Sequence, residues 1–383
     1  MKVARASLSI LRRSPCLGSP ASRYCLPVWR RNYSTDGLSE QQIEDIRNDM
    51  KDRPFQWTRD YMSPTNSTLL NVALADFIPQ ECIFGTINTR SIIANKPLPE
   101  GHHFAYFPLQ KTSSELCPDG TDPFHSPGDP FVRRMWAGGS IDFTETFRLN
   151  SRSIDCKEWI EDIAFKGPGG QEKIFATIRR EYMMSADRNV PLGVSQVPRI
   201  TERRSLVFMR GLSKEQAREN LAKSEEGRER IVKSSHEPDY SFTFTPTPRL
   251  LFQYSALTFN AHSIHLDRNY CREVEGHRDL LVHGPLTLTL MLAAVRSRIG
   301  NPLMRITKID YRNLAPLYVN EPLRVCVRLI QQENADGPDP RQEWEVWVED
   351  RDGGLAVRGT AQAKTFVPRK PFKAIKYYTE TLP

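Results

Sequence analysis

Two short segments concentrate the groups able to do chemistry. Thr258-Phe259-Asn260-Ala261-His262-Ser263-Ile264-His265-Leu266-Asp267 sets two histidines beside an amide. About twenty residues on, Val282-His283-Gly284-Pro285-Leu286 opens the most apolar segment of the chain. Histidine has the ordinary pKa nearest neutrality, so it both takes and gives protons at physiological pH. Abstracting a proton next to a carbonyl leaves charge on the carbonyl oxygen. The start of a helix meets that charge with an aimed N–H and a positive dipole end. Pro285 suits the first helical position, where a missing N–H costs nothing, and Gly284 lets a ligand approach its backbone closely. His265 is therefore the candidate acid–base group and the Gly284 N–H the candidate donor to a developing oxyanion. Asn260 cannot ionise, so it holds a water through its amide rather than deprotonating one.

Plainer roles compete at several of these positions. His265 alone also reads as a core histidine bonded to a carbonyl, and His262 as structural as readily as catalytic. Asp267 reads as the N-cap of a short helix. His283 positions the start of the apolar helix. Tyr254, Phe259, His283 and Pro285 flank the motif and are the expected substrate-binding residues. His102-His103 lies in a loop-rich stretch without the carboxylate or cysteine spacing of a metal site, so neither metal nor cofactor is expected. Arg133 and Arg134 fit either an anchored phosphate or an internal role.

The elements that position these groups follow from the pattern. Residues 285–299 form a helix that is apolar almost all round (Leu286, Leu288, Leu290, Met291, Leu292, Ala293, Ala294, Val295) and must be covered on most sides. A curved antiparallel sheet wrapped round one helix, the hot-dog arrangement, provides that cover. Strands are expected at 304–313, 321–331, 343–350 and 354–365, and in the first half at 140–150, 153–163 and 173–184. Residues 36–62 read as one or two short helices, 63–80 as a helix and 96–130 as long loop. Ile141-Asp142-Phe143 and Ile309-Asp310-Tyr311, about 170 residues apart, each begin a strand–loop–strand unit, which suggests an internal duplication. The expected fold is α+β, a tandem double hot-dog with the second repeat catalytic. Its parts are a leader (1–33), an N-terminal degenerate repeat (36–212), a charged linker (213–240), a C-terminal repeat (241–370) and a tail (371–383).

Charge locates the address rather than a partner. The net charge of +7 equals the seven basic residues of 1–35, a stretch with no acid, so the remainder is balanced. No phosphate-binding surface is implied, and nucleic acid is excluded as a partner. The Arg- and Ser-rich leader, with Leu8, Ile10 and Leu11 on one face and a peptidase-like Arg31-Asn32-Tyr33-Ser34, is that of a mitochondrial transit peptide. The seven cysteines lack C-x-x-C spacing, so free thiols are expected. The apolar run up to Val295 is far too short to span a bilayer. Thr381-Leu382-Pro383 is not a peroxisomal tripeptide.

Together the two motif segments resemble the signature of the MaoC-like, type 2 enoyl hydratase family, in which Asp-x-Asn-Pro-Ile/Val/Leu-His precedes His-Gly-x-Leu at the start of the hot-dog helix. The similarity points to the long branch with two hot-dog units, which includes fungal mitochondrial hydroxyacyl-thioester dehydratases type 2 and bacterial C4-CoA hydratases. Arg133-Arg134-Met135-Trp136-Ala137-Gly138-Gly139 resembles a hallmark of that branch's non-catalytic repeat. The resemblance covers most of 40–365 and is strong at 131–145 and 249–287. It implies a matrix enzyme of mitochondrial type II fatty-acid synthesis that reversibly dehydrates 3-hydroxyacyl thioesters carried by acyl carrier protein or CoA. Its catalytic residues would be His265, Asn260, Gly284 and His262. The chain would be a monomer (a pseudo-dimer of repeats) or a homodimer. One departure matters: Asn260 stands where the family has its catalytic Asp, and His262 where it has Asn. The acid–base burden then falls on His265, with His262 the second candidate. Two alternatives stay open. One is a hydratase of a short branched diacid CoA thioester, for which no motif residue supplies a cation. The other is a non-catalytic acyl-binding protein. A thioesterase ranks last, because residues 284–295 contain no carboxylate.

Overall fold

The computed structural model describes residues 37–365 apart from 86, 88–94, 186–196, 228–230, 335–336 and 338. The leader with its peptidase-like site and the tail lie outside the described residues. The first half comprises α1 (Glu40–Lys51), β1 (Gln56–Tyr61), α2 (Pro64–Leu74), β2 (Arg133–Phe143), β3 (Ser153–Lys166), β4 (Lys173–Met184) and β5 (Ile200–Met209). The charged helix α3 (Lys214–Glu226) links it to β6 (Tyr240–Phe244), α4 (Pro248–Thr258), the single turn α5 (Arg268–Tyr270), α6 (Gly284–Arg298), β7 (Met304–Asn313), β8 (Leu323–Glu333), β9 (Arg341–Glu349) and β10 (Leu355–Thr365).

The strands form one ten-stranded antiparallel sheet in the order β1-β3-β4-β5-β2-β7-β10-β9-β8-β6. That order reads the same from either edge, so the tandem hot-dog is visible as two five-stranded halves meeting at the β2–β7 seam. Ile141 and Ile309, which head the repeated Ile-Asp-aromatic triplets, sit directly opposite one another across it. The halves also enter alike. α2 and α4 each begin with a hydroxyl N-cap (Ser63, Thr247) followed by proline, where the absent N–H is harmless.

Inside the sheet the halves differ. α6 fills the second half, with every side chain from Leu286 to Val295 buried. Among the described residues of the first half, the corresponding stretch holds only short 3₁₀ turns, including His102–Ala105, which packs beside α6: a Cβ on Gly101 would meet Thr289 and Leu292 at 3.2 Å. A buried polar cluster occupies part of the remaining space. Glu202, fully buried, accepts from Arg204 at 2.5 and 2.9 Å and from the Tyr182 hydroxyl at 2.8 Å, with His103 at 3.9 Å.

Several first-half elements depart from expectation. Residues 56–61 are an edge strand rather than helix, and β2 covers Arg133–Phe143 where a strand was expected at 140–150. β5 was not anticipated at all.

Candidate active site

α4 ends where Phe259 takes a left-handed conformation (φ 52°), turning the chain out of the helix. The Asn260 N–H donates to Ser255 O at 2.9 Å, and the Asn260 Oδ1 accepts the His262 backbone N–H at 3.0 Å. This amide therefore shapes the loop that presents His262. A 3₁₀ turn (Ser263–His265) then carries His265 inward, and Asp267 caps α5 by accepting from Asn269 N at 2.8 Å and Tyr270 N at 3.1 Å.

His265 is buried, and its Nδ1 lies 2.8 Å from the Leu281 carbonyl. A carbonyl only accepts, so Nδ1 carries the proton and Nε2 of the neutral ring bears the lone pair. Burial pulls the His265 pKa down to about 4; the Leu281 bond works against this and Arg134 adds to it. At neutral pH the ring is thus a free base. Its plane stacks on His283 at 3.7 Å, and the His283 Nε2 contacts the Ser255 hydroxyl at 2.8 Å. His283 is fully buried and caps α6, so it supports His265 from behind.

A cavity of about 420 Å³ opens in front of these groups. Asn260, His262, His265, Gly284, Pro285 and Phe259 line it from the second half, and Arg134, Trp136, Phe104, Arg180 and Arg204 from the first. Gly284 faces the first half: a Cβ there would have Asn313 Nδ2 at 3.4 Å and Trp136 at 3.6 Å. The first turn of α6 has no intrahelical acceptor for its N–H groups, so the Gly284 N–H is available to a ligand oxygen. Trp136 is turned inward by a bulge between Trp136 and Gly138. Gly138 permits it, since a Cβ there would lie 2.4 Å from Tyr311 O. Asn313 ties the halves together here, donating to Trp136 O at 2.7 Å.

The profile of the family described as hydroxyacyl-thioester dehydratase type 2 matches residues 101–319, both motif segments and the seam included. The chain belongs to that family. It is 29% identical over 276 residues to the mitochondrial hydroxyacyl-thioester dehydratase type 2 of Schizosaccharomyces pombe, covering 70% of this chain and 88% of that protein. It is 31% identical to the mesaconyl-C(4)-CoA hydratase of Chloroflexus aurantiacus, covering 64% of this chain and 81% of that one. Among solved structures it is similar to a MaoC-like dehydratase from Phytophthora capsici (TM-score 0.53, 14% identity, 84% of this chain and 97% of that chain), which shows the shared fold.

Set against this dehydratase family, the expected site residues divide. Asn260, His262, His265, Gly284, Pro285 and Phe259 come together at the cavity wall. Tyr254 and His283 do not line it. The Tyr254 ring packs 5.0 Å from His283 behind the wall, so the expected substrate contact is corrected to a supporting one for both. Arg133 is taken up internally, its Nε donating to Glu275 at 2.6 Å. Arg134 was an open choice, and it lines the cavity with its Nη1 unpartnered and buried. Sequence reasoning missed Arg180 and Arg204, which lie far from the motif and carry no spacing signal, and it quoted Trp136 within the Arg133–Gly139 segment without giving it a role. Asp122, His125 and Glu158 bring ligand atoms within 4.8 Å of one another, the geometry of a cation site. Glu158, however, already meets His125 and Arg180, each at 2.6 Å, which is the arrangement of an ion-pair network. The five described cysteines are free, and no helix among the described residues is long and apolar enough to cross a membrane.

Proposed function

We propose that this chain reversibly dehydrates 3-hydroxyacyl thioesters to trans-2-enoyl thioesters, with the Nε2 of His265 exchanging the C2 proton and the Gly284 N–H receiving the charge on the thioester oxygen. The observation that carries this reading is the neutral His265, proton fixed on Nδ1 and ring facing the cavity that Gly284 also lines. Positioned proton transfer is worth about 10²–10⁴-fold and an oxyanion donor about 10²–10³-fold. Asn260 shapes the loop and offers its amide to the water that adds or leaves. The transit-peptide leader and the mitochondrial relative support a matrix role in type II fatty-acid synthesis, with the acyl group on acyl carrier protein or CoA.

A second reading, hydration of a short diacid monothioester, is favoured by Arg134, which lines the cavity with a buried, unpartnered Nη1, whereas Arg180 and Arg204 are held by Glu158 and Glu202. Arg134 is the cation the motif alone did not supply. Hydration rates of purified protein across trans-2-enoyl-CoA thioesters from C4 to C16, beside mesaconyl-CoA, test both readings. Turnover of the monocarboxylic series supports the first, and turnover of mesaconyl-CoA alone the second. No hydration of any thioester leaves an acyl-binding protein instead.

A further inference from the structure

The motif lacks its acid, and the structure supplies one from the other half. Asp119 sits in the tight turn Cys117–Thr121, closed by Gly120 N donating to Cys117 O at 2.8 Å and Cys117 N to Thr121 O at 2.9 Å. That turn is pressed onto the motif loop. Ser263 N donates to Asp119 O at 2.8 Å. Gly120 (φ 82°) lies so close that a Cβ would stand 2.1 Å from Ala261 O, so no side chain fits there. The buried carboxylate is held from both ends. Its Oδ1 accepts the Thr121 N–H at 3.0 Å and the Thr121 hydroxyl at 2.6 Å, which leaves Oδ2 facing the His262 Nε2 at 3.4 Å. The His262 Nδ1 has no hydrogen-bond partner among the described residues, and His262 lines the cavity beside His265, the two ring centroids 5.6 Å apart.

Building on the dehydratase reading, we propose that Asp119 is the positioning residue of His262. It fixes the ring proton on Nε2 and leaves Nδ1 as the second acid–base atom of the site. An aspartate that accepts from one ring nitrogen sets the tautomer and stabilises the imidazolium that forms. The other charged or titratable groups facing His262 are Arg134, His265 and His283, and Arg134 is in turn balanced by Asp119 and Asp122. In hydration, the His262 Nδ1 takes a proton from water as the water oxygen bonds to C3. The C2–C3 π pair moves onto the thioester as an enolate with its oxygen at the Gly284 N–H. His265, neutral at rest, first takes a proton from solvent on Nε2 and then gives it to C2 as the thioester carbonyl re-forms. His262 has gained one proton and His265 is neutral again, and loss of the His262 proton to solvent restores the start; dehydration is the same path reversed.

Asp119→Asn tests this without removing the turn. Thr121 donates twice to Oδ1, so the amide places its oxygen there and its NH₂ toward His262. The Nε2 then becomes an acceptor and the proton moves to Nδ1. With crotonyl-CoA as probe, kcat is expected to fall about 10²-fold or more with KM nearly unchanged. His262→Ala should fall as far, and the double variant no further. Nitrogen shifts of the His262 ring, read by NMR on the full chain, should report Nε2–H in the wild type and Nδ1–H in Asp119→Asn. Wild-type-like kcat in Asp119→Asn, additive losses in the double variant, or an unchanged tautomer each overturn the inference. A wild type that hydrates no thioester, yet shows the Asp119-dependent tautomer, defeats the dehydratase reading and leaves the coupling standing.

Discussion

The two halves share one strand order and fill it differently. In the second half a continuous apolar helix, α6, occupies the sheet, and its half-buried beginning at Gly284 and Pro285 faces the seam. In the first half the described interior has short turns, aromatic rings and the buried Glu202–Arg204–Tyr182 cluster instead. Apolar packing tolerates no ligand, whereas a half whose described interior holds only short turns has room for a cavity walled by Trp136, Phe104 and the arginines. One half supplies the rigid histidine loop and helix start; the other supplies the space and the opposing charges.

Acidification tests both interiors at once and has the largest expected effect. Burial holds His103 in the first half, and His265 and His277 in the second, at about 4 against an ordinary 6.5. The folded state keeps these rings neutral while the unfolded chain takes up protons below pH 6.5. Stability is therefore full above that pH and is lost as pH falls toward 4, by up to roughly 3 kcal/mol per ring. Urea denaturation across pH 4–7 should show the midpoint dropping steeply at the acid end; a flat profile would contradict the neutral rings.

Glu202→Ala comes next and acts on the first half alone. It strands Arg204 in the interior, which costs about 3–5 kcal/mol when one partner of a buried pair is removed. Leu290→Ala in α6 should cost about 2–5 kcal/mol through the cavity it leaves. Chemical denaturation of the two variants compares charge-held and packing-held interiors directly.

Gly284→Ala separates site from scaffold. Its nearest contact for a Cβ is ordinary, Asn313 Nδ2 at 3.4 Å, so the melting temperature should hold. The added methyl enters the cavity, and kcat for crotonyl-CoA should drop about 10–100-fold, short of the full loss of an oxyanion donor. The smallest effect belongs to Asp267→Ala, which removes the α5 cap and should cost about 1 kcal/mol in thermal unfolding.

The second half was largely legible in the sequence and the first much less so. β7 to β10 alternate cleanly, and α6 stands out because a helix apolar all round has to be covered. β5 was hidden because Glu202, Arg203 and Arg204 break the alternation. Two of them point inward as a paired cluster, and pairing is invisible in one strand's pattern. The motif residues His265, His262, Asn260 and Gly284 line one cavity, since the loop and helix start that carry them are local. Asp119 carries no such signal and Arg134 only an ambiguous one, because each meets the motif loop through the approach of two segments more than a hundred residues apart in sequence. Tyr254 and His283 were misplaced by one layer: proximity in the motif did not reveal that His283 faces Ser255 rather than the cavity.

The proposed site depends above all on the Nε2 of His265 acting as the base at the seam. Hydration of crotonyl-CoA by wild type and His265→Ala, each confirmed folded by its melting transition, tests it most directly. The expected result is a fall in kcat of about 10³–10⁴-fold with the fold retained. A His265→Ala protein that turned over at the wild-type rate would contradict it.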